Sequence, residues 1–254
     1  MAKVISLITQ KGGAGKTAST NAITVCLKHR GFRVLCVDFD PQGYLSFSMA
    51  AEPDKPTIYD VLRHSVRCAD AIQRTEVADI IPTDGLLGNF PYEFTGPGSE
   101  RILHDALRPV ANQYDYILID SPPELGAISA NVLIASDVVL IPGLSDGYSL
   151  QGVIQVHETI ARIKQTLNPN LVMGGMFLVR YYPREELSRI TWETAKQITQ
   201  HLGIPLLETR IRHSSTIGKV LTLLQCDMVR YAPRNNAVRD YIDLTDELLR
   251  KGVL

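Results

Sequence analysis

Lys11-Gly12-Gly13-Ala14-Gly15-Lys16-Thr17 follows the apolar run Val4-Ile5-Ser6-Leu7-Ile8-Thr9 and precedes a helical pattern through Ala22, Ile23, Val25, Cys26 and Leu27. Strand, glycine-rich turn and helix in that order form the context of a phosphate cradle. Gly12, Gly13 and Gly15 let the backbone adopt conformations closed to other residues and approach an anion closely. Their N–H groups, backed by a helix N-terminus, present converging donors to phosphate oxygens. In this motif the Lys16 ammonium reaches the β- and γ-phosphates and the Thr17 hydroxyl holds Mg²⁺. Two positions depart from G-x-x-x-x-G-K-[ST]: Gln10 stands at the first glycine, and Lys11 adds a second lysine. Lys11 lies too far back along the turn to duplicate Lys16 on the same phosphates.

Further along, the pattern repeats. Apolar runs at Val34–Asp38, Ile80–Pro82, Tyr116–Asp120, Val138–Pro142 and Val172–Val179 alternate with helix-spaced residues. The helical sets include Ile102, Leu103, Ala106, Leu107 and Val110, then Val153, Ile154, Val156, Ile160, Ile163 and Leu167. Strands without polar alternation are covered on both faces. The chain therefore reads as an α/β fold, a doubly wound and mainly parallel sheet with helices on both faces. Ligands of such sheets bind at the carboxyl ends of the strands. Acids fall there: Asp38 and Asp40 in Asp38-Phe39-Asp40-Pro41-Gln42-Gly43, and Asp120 in Ile119-Asp120-Ser121-Pro122-Pro123. Side chains alternate along a strand, so Asp38 and Asp40 face the same way. Phosphoryl transfer needs an acid near the metal and a water aligned with the γ-phosphate, and these acids supply both.

Composition narrows the class. The chain has 254 residues, 45% hydrophobic and 21% charged, with a net charge of −1. That is a globular composition, and no apolar run nears the ~20 residues that span a bilayer. A signal-peptide layout is absent from the first residues, so a cytoplasmic location is expected. Cys26, Cys36, Cys68 and Cys226 form no C-x-x-C pair, which argues against a zinc knuckle or cluster site. Length and pattern give one domain over residues 1–254, with no room for a DNA-binding module before the first strand. Segments 44–56 and 83–98 read as loop-rich. Residues 1–179 carry 14 lysines and arginines against 18 acids, and residues 180–254 carry 12 against 9.

Lys-Gly-Gly-x-Gly-Lys-Thr resembles the deviant Walker A box of the ParA/MinD group of P-loop ATPases. The resemblance implies ATP and Mg²⁺ as cofactors, with residues Lys11–Ala18 on the phosphates. It implies that Lys11 crosses a dimer interface to the partner's ATP. Asp-x-Asp-Pro-Gln-Gly resembles the group's switch I box, so Asp40 would position the attacking water and Asp38 would lie near Mg²⁺. Ile-Asp-Ser-Pro-Pro resembles its Walker B and switch II segment, so Asp120 would bind Mg²⁺ through water. Tyr148-Ser149-Leu150-Gln151-Gly152 matches a Ser-Leu-x-Gly stretch opening the next helix. Ala18 replaces a common threonine, and Ser145-Asp146-Gly147 replaces a turn containing proline and glutamate.

After an expected short strand at Pro205–Leu207, Thr209-Arg210-Ile211-Arg212 and Tyr231-Ala232-Pro233-Arg234 resemble the C-terminal region of ParA-type partition ATPases. A final helix runs through Tyr241, Leu244 and Leu248. The resemblance places Pro233 near the adenine. It makes Arg210, Arg212, Lys219, Arg234 and Arg239 candidates for sequence-independent DNA contacts, which need several cations on one face. Trp192 and His213 read as packing residues. The implied function is a partition ATPase. Its ATP-bound dimer holds DNA, and a ParB-like or other cargo-bound partner stimulates hydrolysis and release, with no membrane involved and a nucleoid location. The alternative is a MinD-like membrane-cycling regulator, which needs a basic amphipathic anchor; Glu247–Leu254 is short and weakly amphipathic. An iron–sulfur reductase sharing the same loop would need paired cysteines.

Overall fold

The computed structural model describes residues 1–146 and 151–254. Among the described residues seven strands form one sheet: β1 (Lys3–Leu7), β2 (Val34–Asp38), β3 (Gln73–Arg74), β4 (Asp79–Ile81), β5 (Tyr116–Asp120), β6 (Val138–Leu144) and β7 (Val172–Val179). Their order is β3-β4-β2-β5-β1-β6-β7, parallel throughout except for the β3–β4 pair. β1 lies between β5 and β6, with Leu7 paired to Asp120 on one side and Leu140 on the other. Asp38 is paired to Asp120 across β2 and β5, so both acids end adjacent strands at the same height.

The helices are α1 (Lys16–His29), α2 (Tyr44–Ser48), α3 (Ile58–Leu62), α4 (Phe90–Glu93), α5 (Ile102–Leu107) and α6 (Ala127–Ala135). They continue with α7 (Gln151–Thr166), α8 (Glu186–Leu202), α9 (Ser215–Lys219), α10 (Met228–Tyr231) and α11 (Asn236–Arg250). Strand alternation divides the apolar residues between two layers. Ile5, Leu7, Cys36, Leu118 and Leu140 join Ile23, Leu27, Leu244 and Leu248 of α1 and α11. Leu35, Val37, Ile117, Ile119, Val139 and Ile141 face the opposite way, toward α3, α5, α6, α7 and α8. Burial on both faces is why these strands read as unbroken apolar runs.

Several boundaries differ from the sequence pattern. β1 stops at Leu7, because Ile8 and Thr9 already begin the loop to Lys16. The Pro205–Leu207 strand reduces to a single bridge between Met176 and Leu206. α5 ends at Leu107, short of the helix-spaced Val110: Arg108 keeps helical angles, and Pro109 has no N–H to carry the ladder on. β3 is a two-residue antiparallel edge, Gln-Arg, with no apolar signature. The loop-rich segments contain α2 and α4, held by burial of Leu45 and Met49 in one layer and Phe90 in the other. Phe90 sits edge-on to Phe39, ring centroids 5.8 Å apart.

Candidate nucleotide site

The loop after β1 turns through Gly13 (φ 72°) and Gly15 (φ 79°), a left-handed region that favours glycine. Gly15 is also the N-cap of α1 and supplies no side-chain cap. The leading amides of α1 therefore have no acceptor within their own helix. A Cβ on Gly15 would sit 3.3 Å from Val179 Cγ2, so the loop packs closely on the end of β7. Gln10, which replaces the motif's first glycine, lies against Gly152 of α7, where a Cβ would stand 3.5 Å from its side chain. Ala18 packs partly buried against the α1 layer.

Four charged groups meet at the strand ends. Lys16 is buried, its Nζ 3.5 Å from the carbonyl of Thr9. Burial lowers its pKa, opposed by the charges of Asp120, Asp40 and Glu124. Thr17 Oγ1 donates to Asp120 Oδ2 at 2.6 Å. Asp120 Oδ1 is buried without a hydrogen-bond partner among the described residues. Burial, with the Asp38 charge adding to it, pushes Asp120 up to about 8. An orphaned carboxylate oxygen beside a threonine hydroxyl is an oxygen donor pair suited to a hard divalent cation.

Asp38 and Asp40 play different parts. Asp38 Oδ2 accepts from Ser46 N and Ser46 Oγ, both at 2.7 Å, and its Oδ1 accepts from Asp40 N at 3.2 Å. Burial pushes Asp38 up to about 6, and these donors oppose the shift. Both Asp38 oxygens are thus engaged in organising the turn to α2. Asp40 Oδ1 accepts from Gln42 N at 3.0 Å. Burial raises the Asp40 pKa, against the opposing charge of Lys16.

Lys11 points away from this cluster. Its Nζ is 2.7 Å from Asp146 Oδ2, the residue where the turn after β6 departs from the usual pattern. Residues 147–150 of the Tyr148–Gly152 stretch lie outside the described residues. A cavity of about 1110 Å³ opens between α3 and α5, and none of the phosphate-cradle residues line it.

The C-terminal candidates separate into engaged and exposed cations. Arg212 is held by Asp240, with Nε donating to Oδ2 at 2.9 Å and Nη2 to Oδ1 at 2.6 Å. Arg210 lies over Tyr181 and Trp192, 5.1 and 4.7 Å from the ring centroids. Both DNA candidates are thus engaged within the fold, each still partly exposed. Lys219, Arg234 and Arg239 are exposed. Trp192 packs beneath Arg210, and His213 stacks on Tyr182 at 5.0 Å. Pro233 is exposed in the turn before α11, whose N-cap Asn235 also donates to Ser214 and Thr216 hydroxyls at 3.1 Å. A Ser19–Tyr241 hydrogen bond at 3.1 Å sets that end of α11 beside the start of α1. Sequence reading passed over Ser46, whose position in a short helix carries no periodic signal, and gave Asp146 no contact.

A family model described as an AAA domain matches residues 2–173. The chromosome partitioning protein ParA of Caulobacter vibrioides is 34% identical over 240 residues, covering 88% of each chain. The chain belongs to the ParA family. Its likeness to another ParA-family relative, the sporulation initiation inhibitor protein Soj of Bacillus subtilis, is 33% identity over 99% of this chain and 100% of Soj. Among solved structures, cobyrinic acid a,c-diamide synthase from Mycobacterium smegmatis with bound ADP and magnesium aligns with a TM-score of 0.86. Identity is 28%, over 100% of this chain and 96% of that one. No helix among the described residues is long and apolar enough to cross a membrane.

The buried carboxylates make ligand-free stability depend on pH. Asp120 and Asp38 titrate at about 8 and about 6 in the fold, against about 4 when unfolded. Between those values the folded state holds protons that the unfolded chain releases, so stability falls as pH rises from about 4 toward about 8. Asp120→Asn removes the larger contribution. At pH 8 without ligands its melting temperature is expected about 2–4 °C above wild type, the effect of ~1 kcal/mol in a chain of this size. Calorimetry at pH 5 and pH 8 checks this; a parallel fall in both proteins contradicts the assignment.

Proposed function

We propose that the chain is a Mg²⁺-dependent ATPase of the DNA-segregation type, acting as an ATP-bound dimer on DNA. One observation carries the catalytic part: Lys16, Thr17, Asp40 and the orphaned Asp120 oxygen converge where β1, β2 and β5 end. The loop amides and Lys16 bind and orient the phosphates, with Pro233 close to the base. Thr17 and Asp120 would hold Mg²⁺, which when bound neutralises charge on the β- and γ-phosphates. Asp40 orients the attacking water and takes up its proton. Lys11 leaves Asp146 to meet the phosphates of a second copy's ATP. A cargo-bound, ParB-like partner accelerates turnover and so releases the dimer from DNA.

Relatives named for chromosome partitioning support the DNA reading. The surface for it consists of Lys219, Arg234 and Arg239, near the joint of α9, α10 and α11. Residues 248–254 are engaged with the fold, which favours the DNA reading over the membrane one. Leu248 is fully buried, Val253 packs against Gly174, and Lys3 Nζ donates to the carbonyl of Gly252 at 3.2 Å. Co-sedimentation with plasmid DNA and with anionic vesicles, with and without ATP, tests the two readings. Retention on DNA that requires ATP and is lost in moderate salt is expected. Vesicle binding without DNA binding overturns the proposal.

Charge reversal separates the surface cations from the engaged ones. Lys219→Glu or Arg234→Glu should weaken binding equally across DNA sequences and reduce the salt slope by about 1 per lost phosphate contact. Fluorescence anisotropy over a salt series checks this. An unchanged slope in both variants moves the surface elsewhere.

A further inference from the structure

The turn that carries Asp40 is tied at both ends to one carboxylate. Asp38 Oδ1 takes the amide of Asp40, while Asp38 Oδ2 takes the amide and hydroxyl of Ser46 at the start of α2. Between them the chain folds tightly, with Gly43 N donating to Asp40 O at 2.9 Å and Gln42 N to the Asp40 carboxylate. Ser46 Oγ also accepts from Thr83 N at 3.0 Å, which joins the turn to the residue beyond the end of β4. The hydroxyl therefore serves as donor to Asp38 and acceptor for Thr83 at a nearly solvent-free point, 8% exposed. On the same five-residue helix, Tyr44 and Phe47 face solvent at 61% and 54%. α2 is therefore anchored chiefly through Leu45, Ser46 and the buried Met49 that follows it.

Removing the hydroxyl would leave the Thr83 amide buried without an acceptor and Asp38 with one donor fewer. A buried polar group stripped of its partner is destabilised, and the strain falls on the short turn between Asp38 and Ser46. Asp40 lies on that turn, and its carboxylate must be placed within a fraction of an ångström for a water to be aligned.

We propose that Ser46 is a positioning residue for hydrolysis, fixing through Asp38 the turn that aims Asp40. It rests on the ATPase reading above. The Ser46 hydroxyl is engaged by Asp38 and Thr83, so its loss acts on turnover and leaves nucleotide affinity nearly unchanged. Ser46→Thr keeps the hydroxyl and should restore what Ser46→Ala loses.

The test compares wild type, S46A, S46T and Ser46→Cys in two measurements. Steady-state hydrolysis is expected to show kcat reduced about 10- to 100-fold in S46A, as for a mis-set general base, with KM changed less than about twofold and S46T near wild type. Hydrogen exchange on the ligand-free proteins should show faster exchange over residues 39–46 in S46A and wild-type rates in S46T. Wild-type kcat in S46A, or unaltered exchange there, overturns the positioning role. Equal loss of kcat in S46A and S46T also overturns it, pointing to packing alone. If S46A does not fold, Ser46→Cys, which keeps the size but weakens the hydrogen bonds, takes its place. Were the wild type to hydrolyse no ATP, the ATPase reading would fail while hydrogen exchange still decided whether Ser46 holds the turn.

Discussion

Asp40→Ala stops ATP turnover and leaves ATP binding and ATP-dependent dimerisation in place. In the proposed site the phosphate donors are backbone amides and Lys16, and Asp40 acts on Lys16 only through its charge. Its carboxylate is buried, and one oxygen is pinned by Gln42 N, which fixes the rotation of the group. Burial raises its pKa, so the carboxylate is a stronger proton acceptor than one in water. Loss of an oriented base costs about 10²–10⁴ in rate. Phosphate release, with and without DNA, measures the first effect, and sedimentation velocity with ATP measures the second. Turnover within a few-fold of wild type removes Asp40 from the water-orienting role.

Lys11→Ala separates the two lysines. The variant should bind ATP as a monomer, fail to form the ATP-dependent dimer and lose hydrolysis by about 10³ or more, the scale of a cation supplied in trans. The ion pair with Asp146 does not prevent Lys11 from moving. Both side chains are about one-third exposed, and such a pair is worth about 1 kcal/mol at most. A charge-assisted contact with a phosphate in a closed interface is worth about 1.5–3 kcal/mol, enough to draw Lys11 from Asp146 in the proposed dimer. Lys16→Ala, in contrast, should abolish ATP binding itself. Sedimentation with a non-hydrolysable ATP analogue checks the difference. An ATP-dependent dimer of normal strength in Lys11→Ala contradicts a trans contact.

Most of the fold was legible because burial on both faces writes itself into composition. Val34–Asp38 and Tyr116–Asp120 match their strands residue for residue, since nothing polar interrupts them before the terminal acids. The glycine-rich turn was legible for a related reason: positive φ at Gly13 and Gly15 demands glycine whatever surrounds it. Short elements were not. β3 and α2 are stabilised by neighbours distant in sequence, and two to five residues are too few for a period to show.

In the site, local pattern could name the acids but could not divide their work. Asp38 and Asp40 sit two residues apart, and sequence alone makes them alike. Ser46 and Asp40 N tie up both Asp38 oxygens, while one Asp40 carboxylate oxygen takes Gln42 N; in the proposed mechanism Asp38 anchors the turn and Asp40 acts. At the other end, Arg210 and Arg212 read as surface cations until Trp192, Tyr181 and Asp240 are seen to engage them.

By itself the sequence determined the strand–turn–helix phosphate cradle, the parallel layered sheet, the acids at the strand ends and the second lysine. Each is set by backbone geometry or by burial within a few adjacent residues. Only the tertiary structure decided that Asp38 anchors the turn to α2, that Lys11 rests on Asp146, and which C-terminal cations remain exposed. Those outcomes depend on contacts between residues up to 135 positions apart, as for Lys11 and Asp146, and on which buried groups find partners once the chain is folded.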